Sequence, residues 1–220
     1  MLQTYIYVAV AGEDKLIVFS LDSETGSLEL KKEITVKGGP EMIVTDPQRR
    51  FLFIGCHPRH YTDNVPIRRS KICSYKIDWV SGGLKEINSI VLEYAPIYLS
   101  IDRESRFLLS AYYTAGKAAV HRVNENGEIG RATQWIDSGG GAHSILVDPS
   151  NKYAFLPHVS IDNNNIDTWP PIVSVNHILQ SGSNTIFQYK FDGEKGKLIP
   201  NSPVKLAGER GGGPRHYCFH

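Results

Sequence analysis

The chain is poor in cysteine: three in 220 residues, at 56, 73 and 218, with no Cys-x-x-Cys pair. That is too few and too scattered for a disulfide framework or a structural zinc site, so a reducing, cytoplasmic setting is the expectation. Charge of one sign is lacking too, since 24 Lys and Arg stand against 23 Asp and Glu. Without a basic surplus or an acidic run, neither a nucleic-acid partner nor a charged tail is expected. The opening Met-Leu-Gln-Thr-Tyr-Ile-Tyr-Val-Ala-Val has no basic cluster and no long apolar stretch, so neither a signal peptide nor a membrane span is expected. Convincing runs of 12 or more residues with a helical apolar period are missing. So are a nucleotide loop, a Gly-x-Ser-x-Gly elbow and a His-Glu-x-x-His motif. No cofactor is expected.

What is present points to β structure. Eleven Tyr, eight Phe and many Val and Ile fall in short runs, separated by 20 Gly and 12 Pro, and 41% apolar content is enough for a sizeable core. The chain also repeats itself. A turn, a short apolar run and an acid occur as Gly39-Pro40-Glu41-Met42-Ile43-Val44-Thr45-Asp46-Pro47, as Ala95-Pro96-Ile97-Tyr98-Leu99-Ser100-Ile101-Asp102 and as Gly141-Ala142-His143-Ser144-Ile145-Leu146-Val147-Asp148-Pro149. The turn returns in Gly213-Pro214-Arg215-His216-Tyr217-Cys218-Phe219-His220, and equivalent positions step by 56, 46 and 72 residues. A second marker, Asp-x-x-x-Gly-x-Leu, occurs at 22–28, 78–84 and 192–198, with a shortened form around Asn124 and Gly127; its glycines step by 56, 45 and 69. Two unrelated markers drifting in parallel make a genuine repeat.

Each full unit holds four strand-like runs: 41–46, 51–56, 71–77 and 84–91, then 97–102, 107–113, 118–123 and 129–136, then 143–148, 153–158, 185–191 and 198–206. Four strands in about 45 residues is the signature of a β-propeller blade, so the fold class is all-β, a single propeller domain. Blades are expected at 1–36 (lacking its first strand), 40–92, 96–137 and 142–207, with 214–220 supplying one further first strand. The second and fourth units are lengthened between their second and third strands, the fourth by an Asn-, Pro- and Ser-rich insertion over 159–183. Taken literally, the count closes a four-bladed ring; the other reading is a larger ring cut after the first strand of its fifth unit.

Repetition also locates a candidate site. Equivalent positions in successive blades share one radius and height, and the innermost strand of a blade lines the central channel. Glu41, Ile97, His143 and Arg215 hold one such position, and Met42, Tyr98, Ser144 and His216 the next. A guanidinium at Arg215 suits bidentate capture of phosphate or carboxylate, and His143 suits general acid or base work near neutral pH. His216 alternates away from Arg215, with packing between blades as its competing reading. Tyr112 and Tyr113 end a second strand near the channel mouth, where core packing competes; Tyr113, Ser144 and His216 join Arg215 as substrate-binding candidates. For Glu41 a solvated charge is the preferred reading. His57-Pro-Arg-His60 reads as a surface loop rather than a metal site, and His158 and the 162–167 Asn/Asp stretch also read as loop. No metal site is expected.

Gly-Ala-His-Ser at 141–144, Asp-Pro-Ser-Asn-Lys-Tyr-Ala-Phe at 148–155, Ile-Phe-Gln-Tyr-Lys-Phe-Asp at 186–192 and Gly-Gly-Pro-Arg-His-Tyr-Cys-Phe-His at 212–220 together resemble the seven-bladed lactonase family. That family holds propeller-type 6-phosphogluconolactonases and fungal carboxy-muconate lactonizing enzymes. The resemblance runs over the whole chain, and Gly-Pro-Arg-His-x-x-Phe-His is its most specific part. It implies catalytic His143 and Arg215 acting on a small anionic lactone in carbohydrate metabolism, in the pentose phosphate pathway. Lactone cyclisation and a non-catalytic binding scaffold stand as alternatives. A seven-bladed relative needs roughly 110 to 130 further residues at about 45 per blade, which favours the cut ring. The family's catalytic glutamate, sixteen residues beyond the motif arginine, and a later arginine both fall past His220. Oligomeric state is not readable.

Overall fold

A computed structural model describes residues 3–58, 69–159, 183–208 and 212–220. Its strands form four antiparallel sheets, each a meander in chain order. The first holds β1 (Thr4–Val10), β2 (Lys15–Leu21) and β3 (Leu28–Thr35). The second holds β4 (Pro40–Thr45), β5 (Phe51–Cys56), β6 (Lys71–Ile77) and β7 (Leu84–Val91). In the third are β8 (Tyr98–Ile101), β9 (Phe107–Tyr112), β10 (Lys117–Val123) and β11 (Ile129–Asp137). The fourth has β12 (Leu146–Val147), β13 (Tyr153–Pro157), β14 (Thr185–Asp192) and β15 (Lys197–Ala207).

The two repeated markers are turn devices. The Asp46 carboxylate turns β4 into β5, with Oδ1 accepting from the backbone N–H of Arg50 (2.6 Å) and Phe51 (2.8 Å). Asp102 accepts likewise from Arg106 and Phe107 (2.7 and 2.8 Å), and Asp148 from Lys152 and Tyr153 (2.9 and 2.8 Å). Each loop passes through a left-handed residue, with φ of 58° at Arg49, 61° at Ser105 and 60° at Asn151. The second marker closes the outer hairpins. There, Gly82, Gly127 and Gly196 take φ of 66°, 83° and 62°.

Those glycines also carry the packing of sheet on sheet. A Cβ on Gly82 would stand 2.5 Å from the Tyr5 ring, one on Gly127 2.4 Å from Phe51, and one on Gly196 2.1 Å from Phe107. Each aromatic sits near the start of a strand in the preceding sheet, so the bare backbone seals one blade against the last. Polar clamps work beside them. Asn88 exchanges two hydrogen bonds with the backbone of Ile129 (2.8 and 3.0 Å), and Gln134 does so with Leu198 (3.0 and 2.8 Å).

Between the clamps lie three apolar cores, one at each junction. Leu16 of the first sheet and Val36 just beyond it meet Leu52, Ile54, Cys56, Cys73 and Tyr75 of the second. Phe51, Phe53 and Ile72, from the other face of that sheet, meet Leu99, Leu108, Tyr112 and Ala119 of the third. Phe107, Leu109 and Ala111 then meet Ala154, Leu156, Tyr189 and Phe191 of the fourth. Successive residues of β5 and β9 thus bury opposite faces, which is why these strands read as unbroken apolar runs rather than as alternating ones.

Two expected strands differ. The run 143–148 is a strand only at Leu146–Val147, with Ala142 bridging His158 ahead of it. Between these points Ile145 O accepts from Ser100 Oγ (2.5 Å) and Ser144 Oγ donates to Arg215 O (2.9 Å), which draws the chain off the β13 ladder. Residues 215–219 form no strand, because the described residues offer no neighbouring strand on which they pair. His60, the 162–167 stretch and most of the 159–183 insertion lie outside the described residues.

Gly26 supplies a control for the packing role. It has φ of 74°, but a Cβ there would meet nothing within 4 Å. Gly26→Ala should cost about 1 kcal/mol, the backbone strain alone, and Gly196→Ala about 3 kcal/mol or more, since Phe107 must also move. Denaturant unfolding measures both; equal costs would mean that the ring gives way freely.

Candidate active site

The inner-strand ends of the third and fourth sheets hold a cluster of aromatic and cationic side chains. Gly139 and Gly141, at φ of 89° and 88°, swing the chain into the fourth sheet. The His143 N–H then donates to Pro157 O (3.0 Å), the counterpart of the Ile97 N–H donating to Ala111 O (2.9 Å) one sheet earlier. Ile97 and His143 therefore hold matching places at the head of their inner strands, as repetition requires. Glu41 occupies the corresponding place in a bulge between Pro40 and Met42.

Around His143 the neighbours come from two other segments. The Tyr113 ring meets it edge-on at 6.0 Å, and the His216 ring at 4.7 Å. His216 in turn lies 6.0 Å from the Tyr98 ring. The exposed Arg215 guanidinium acts electrostatically on both His143 and Tyr113. His143, Arg215, His216 and Tyr113 thus gather at one place, although 102 residues separate Tyr113 from Arg215. Ser144 is fully buried, and its hydroxyl is spent on the Arg215 carbonyl. It holds the arginine's backbone in place.

Electrostatics sets the state of His143. Burial, then the Arg215 charge and then His216 push its pKa down to about 4, so the imidazole is neutral at neutral pH. Its Nδ1 is buried without a well-formed hydrogen bond, while an interaction with its own backbone favours the proton slightly. A neutral imidazole carrying its proton on Nδ1 presents a free Nε2 lone pair, the form a general base needs. Burial lifts the Tyr113 hydroxyl above its ordinary pKa, and Arg215 opposes that rise, so Tyr113 keeps its proton as a hydrogen-bond donor.

Tyr217 is the anchor that sequence reasoning missed. Its hydroxyl accepts from the Leu146 N–H (2.9 Å) and lies 2.6 Å from the Phe155 carbonyl, to which it donates. Its ring meets those of Phe155 and Phe219 at 6.1 and 5.4 Å. A side chain thereby fastens 212–220 to the fourth sheet where a backbone ladder is missing. Tyr98, placed by the repeat in one set with Ser144 and His216 but given no role, borders the cluster through the His216 ring.

Two further described histidines are engaged with other partners. His57 bonds Ser70 Oγ at 3.3 Å. His158 is fully buried against Phe187, with Nδ1 3.0 Å from Leu156 O and a pKa pushed down to about 4 by burial. It is a core residue, not the loop residue expected. Tyr112 is likewise core, with its hydroxyl 2.9 Å from Ser110 Oγ. Among the described residues no group of three or more His, Cys, Asp or Glu could hold a metal ion, and no helix is long and apolar enough to cross a membrane.

Comparison with known proteins gives this geometry a family. Residues 59–169, half of the chain, match the model of the lactonase, 7-bladed beta-propeller family. The 6-phosphogluconolactonase of Pectobacterium carotovorum is 27% identical over 219 residues, 100% of this chain and 55% of the relative. That of Erwinia tasmaniensis is 26% identical over 215 residues, 98% of this chain and 54% of the relative. The chain therefore spans about half the length of the curated relatives it matches. Among solved structures, the periplasmic gluconolactonase PpgL of Pseudomonas aeruginosa superposes with a TM-score of 0.74 at 21% identity, over 97% of this chain and 57% of that one. A putative 6-phosphogluconolactonase from Bacteroides fragilis also gives 0.74, at 17% identity, over 98% and 57%. At such identities the structures speak for the fold alone: a β-propeller, of which four sheets are described here. With half of its length matched to the family model, the chain belongs to the seven-bladed β-propeller lactonases.

Proposed function

We propose that the cluster at His143 and Arg215 is an active site for hydrolysis of a sugar-acid lactone bearing an anionic group, the lactone of 6-phosphogluconic acid. The observation that carries this reading is the meeting of His143 and Arg215, 72 residues apart, with His216 and Tyr113 in one cluster. The names of the curated relatives support the substrate. Arg215 binds the phosphate or carboxylate by charge and paired N–H donors. His143 Nε2 takes a proton from water as its oxygen adds to the lactone carbonyl. The tetrahedral oxyanion is offset by the guanidinium and by the Tyr113 hydroxyl. As the carbonyl re-forms, the ring C–O bond breaks and the imidazolium returns the proton to the departing oxygen. The sum is one water added and an open hydroxy acid released. A place in the pentose phosphate pathway is part of the same proposal, in keeping with the substrate in the relatives' names, and so is a cytoplasmic setting, in keeping with three free thiols.

In assays with the phosphorylated lactone, His143→Ala should lower kcat by about 10²-fold, the usual scale of lost acid–base catalysis. Arg215→Met should act mainly on KM, raising it about 10- to 100-fold for loss of a charge-assisted contact. Unchanged turnover in His143→Ala would sink the proposal.

The pH dependence follows from the depressed His143 pKa. Activity requires the neutral ring, so kcat/KM should rise with pH through about 4 and stay flat from pH 6 upward. NMR titration of His143 should give a midpoint of about 4 that moves up in Arg215→Met, because a repelling charge is gone. A midpoint at the ordinary histidine value of about 6.5 would contradict this account.

A further inference from the structure

The inner strands have two ends, and the His143 cluster stands at the end where they begin. Where they finish, β4, β8 and β12 border a cleft of about 320 Å³. Val44, Ile101, Leu146 and Val147 give it apolar walls drawn from three sheets, and Arg49 and Arg103 line it as well. Ser100 is also on its wall, but spends its hydroxyl on Ile145 O (2.5 Å). Ile97, the counterpart of His143, stands five residues before Asp102 at this end, roughly 16 Å along an extended chain. The cleft is therefore separate from the cluster around His143.

The two arginines come from the turn loops of neighbouring sheets, and these loops are tied together. Ser105 Oγ donates to Gln48 Oε1 (2.6 Å), which joins the Arg103 loop to the Arg49 loop. The Arg103 N–H donates to Asn151 Oδ1 (3.0 Å), and its Nε lies 3.5 Å from Asp148 O, so the side chain reaches toward the fourth sheet. Nearby carboxylates are already engaged. The Asp46 side chain is wholly buried, accepts from two backbone N–H groups and holds Arg50 Nε at 3.0 Å. Asp102 accepts from the Arg106 and Phe107 N–H groups and from Asn151 Nδ2 (3.2 Å), while Glu104 pairs with Arg106. Arg49 and Arg103 are exposed, and among the described residues neither forms an ion pair. Two like charges lining one cleft repel each other and raise the local potential, which favours an anion between them.

We propose that this cleft is a binding site for a small phosphate monoester. A phosphate near its second ionisation balances both guanidinium charges and offers three oxygens to their planar N–H donors, whereas a carboxylate balances only one. The apolar walls take the carbon body of the ester. A volume at the lower end of the range for ligand cavities limits that body to about one ring. The inference is of binding alone and does not rest on the activity proposed for His143. Loading the site links the second and third sheets through the ligand, at the end of the strands remote from that cluster.

The test uses the full chain carrying Arg215→Met, which removes the guanidinium of the other cluster. It is titrated with phenyl phosphate at pH 7 in low salt, where charge is least screened, and followed by calorimetry. One saturable site is expected. Arg49→Met and Arg103→Met should each weaken it about tenfold, for the loss of one charge-assisted contact, and the thermal midpoint should not move because both side chains are exposed. Phenol, which lacks the charge, should bind at least about 100-fold more weakly than the ester. An unaltered affinity in the Arg49→Met, Arg103→Met double variant would overturn the proposal. So would phenol binding as tightly as phenyl phosphate, or no heat of binding at millimolar ester.

Discussion

The second and third sheets are buried on both faces, and that constraint organises the rest of the chain. An antiparallel sheet with one wet face alternates apolar and polar residues, whereas β5 and β9 are buried at every position. Such a strand is stable only if a sheet stands on each side at a fixed distance and angle. The hairpin glycines set that distance by letting backbone rest on the aromatic ring of the preceding sheet. Asn88 and Gln134 set the angle by gripping one residue of the next sheet at both its N–H and its C=O. Apolar area supplies most of the stabilisation and has no direction. The clamps supply direction.

Stacking of this kind brings the inner strands together at one axis, and there the chemistry gathers. The site borrows the interior of the fold: the burial that stabilises the junction of the third and fourth sheets also strips water from His143 and keeps its ring neutral. A buried Nδ1 without a good partner is a cost to folding, of the kind that persists where a structure has a use for it. Arg215, by contrast, is exposed, and its carbonyl rather than its guanidinium is tied down, by Ser144. Backbone anchoring with a free cationic head suits a group that must meet an incoming anion.

Much of the fold was legible because its signals are local. Asp46, Asp102 and Asp148 accept hydrogen bonds from residues four and five positions on, and Gly82 and Gly196 need a left-handed backbone whatever surrounds them, so these residues recur at the period of the sheets. What proved illegible depends on distant neighbours. The strand expected at 143–148 shrinks to two residues because Ser100 and Arg215, remote in sequence, compete for its polar groups. His216 was a candidate by its place in the repeat, but the strand alternation assumed for 215–219 fails where no strand forms, and its ring meets that of His143 edge-on. Tyr217 reads as one more aromatic in a β-rich chain until the Leu146 and Phe155 backbones are seen around its hydroxyl.

The amino-acid order alone determined the all-β class, the four-strand unit, the turn chemistry and the equivalence of Ile97 with His143, because each follows from backbone geometry over a few residues. Tertiary structure decided the rest. It tied the Ser144 hydroxyl to the Arg215 carbonyl, made His158 core rather than loop, and set the Tyr98 ring beside that of His216. Contact between residues far apart in the chain depends on how sheets pack, and packing is a property of whole faces that no short stretch of sequence contains.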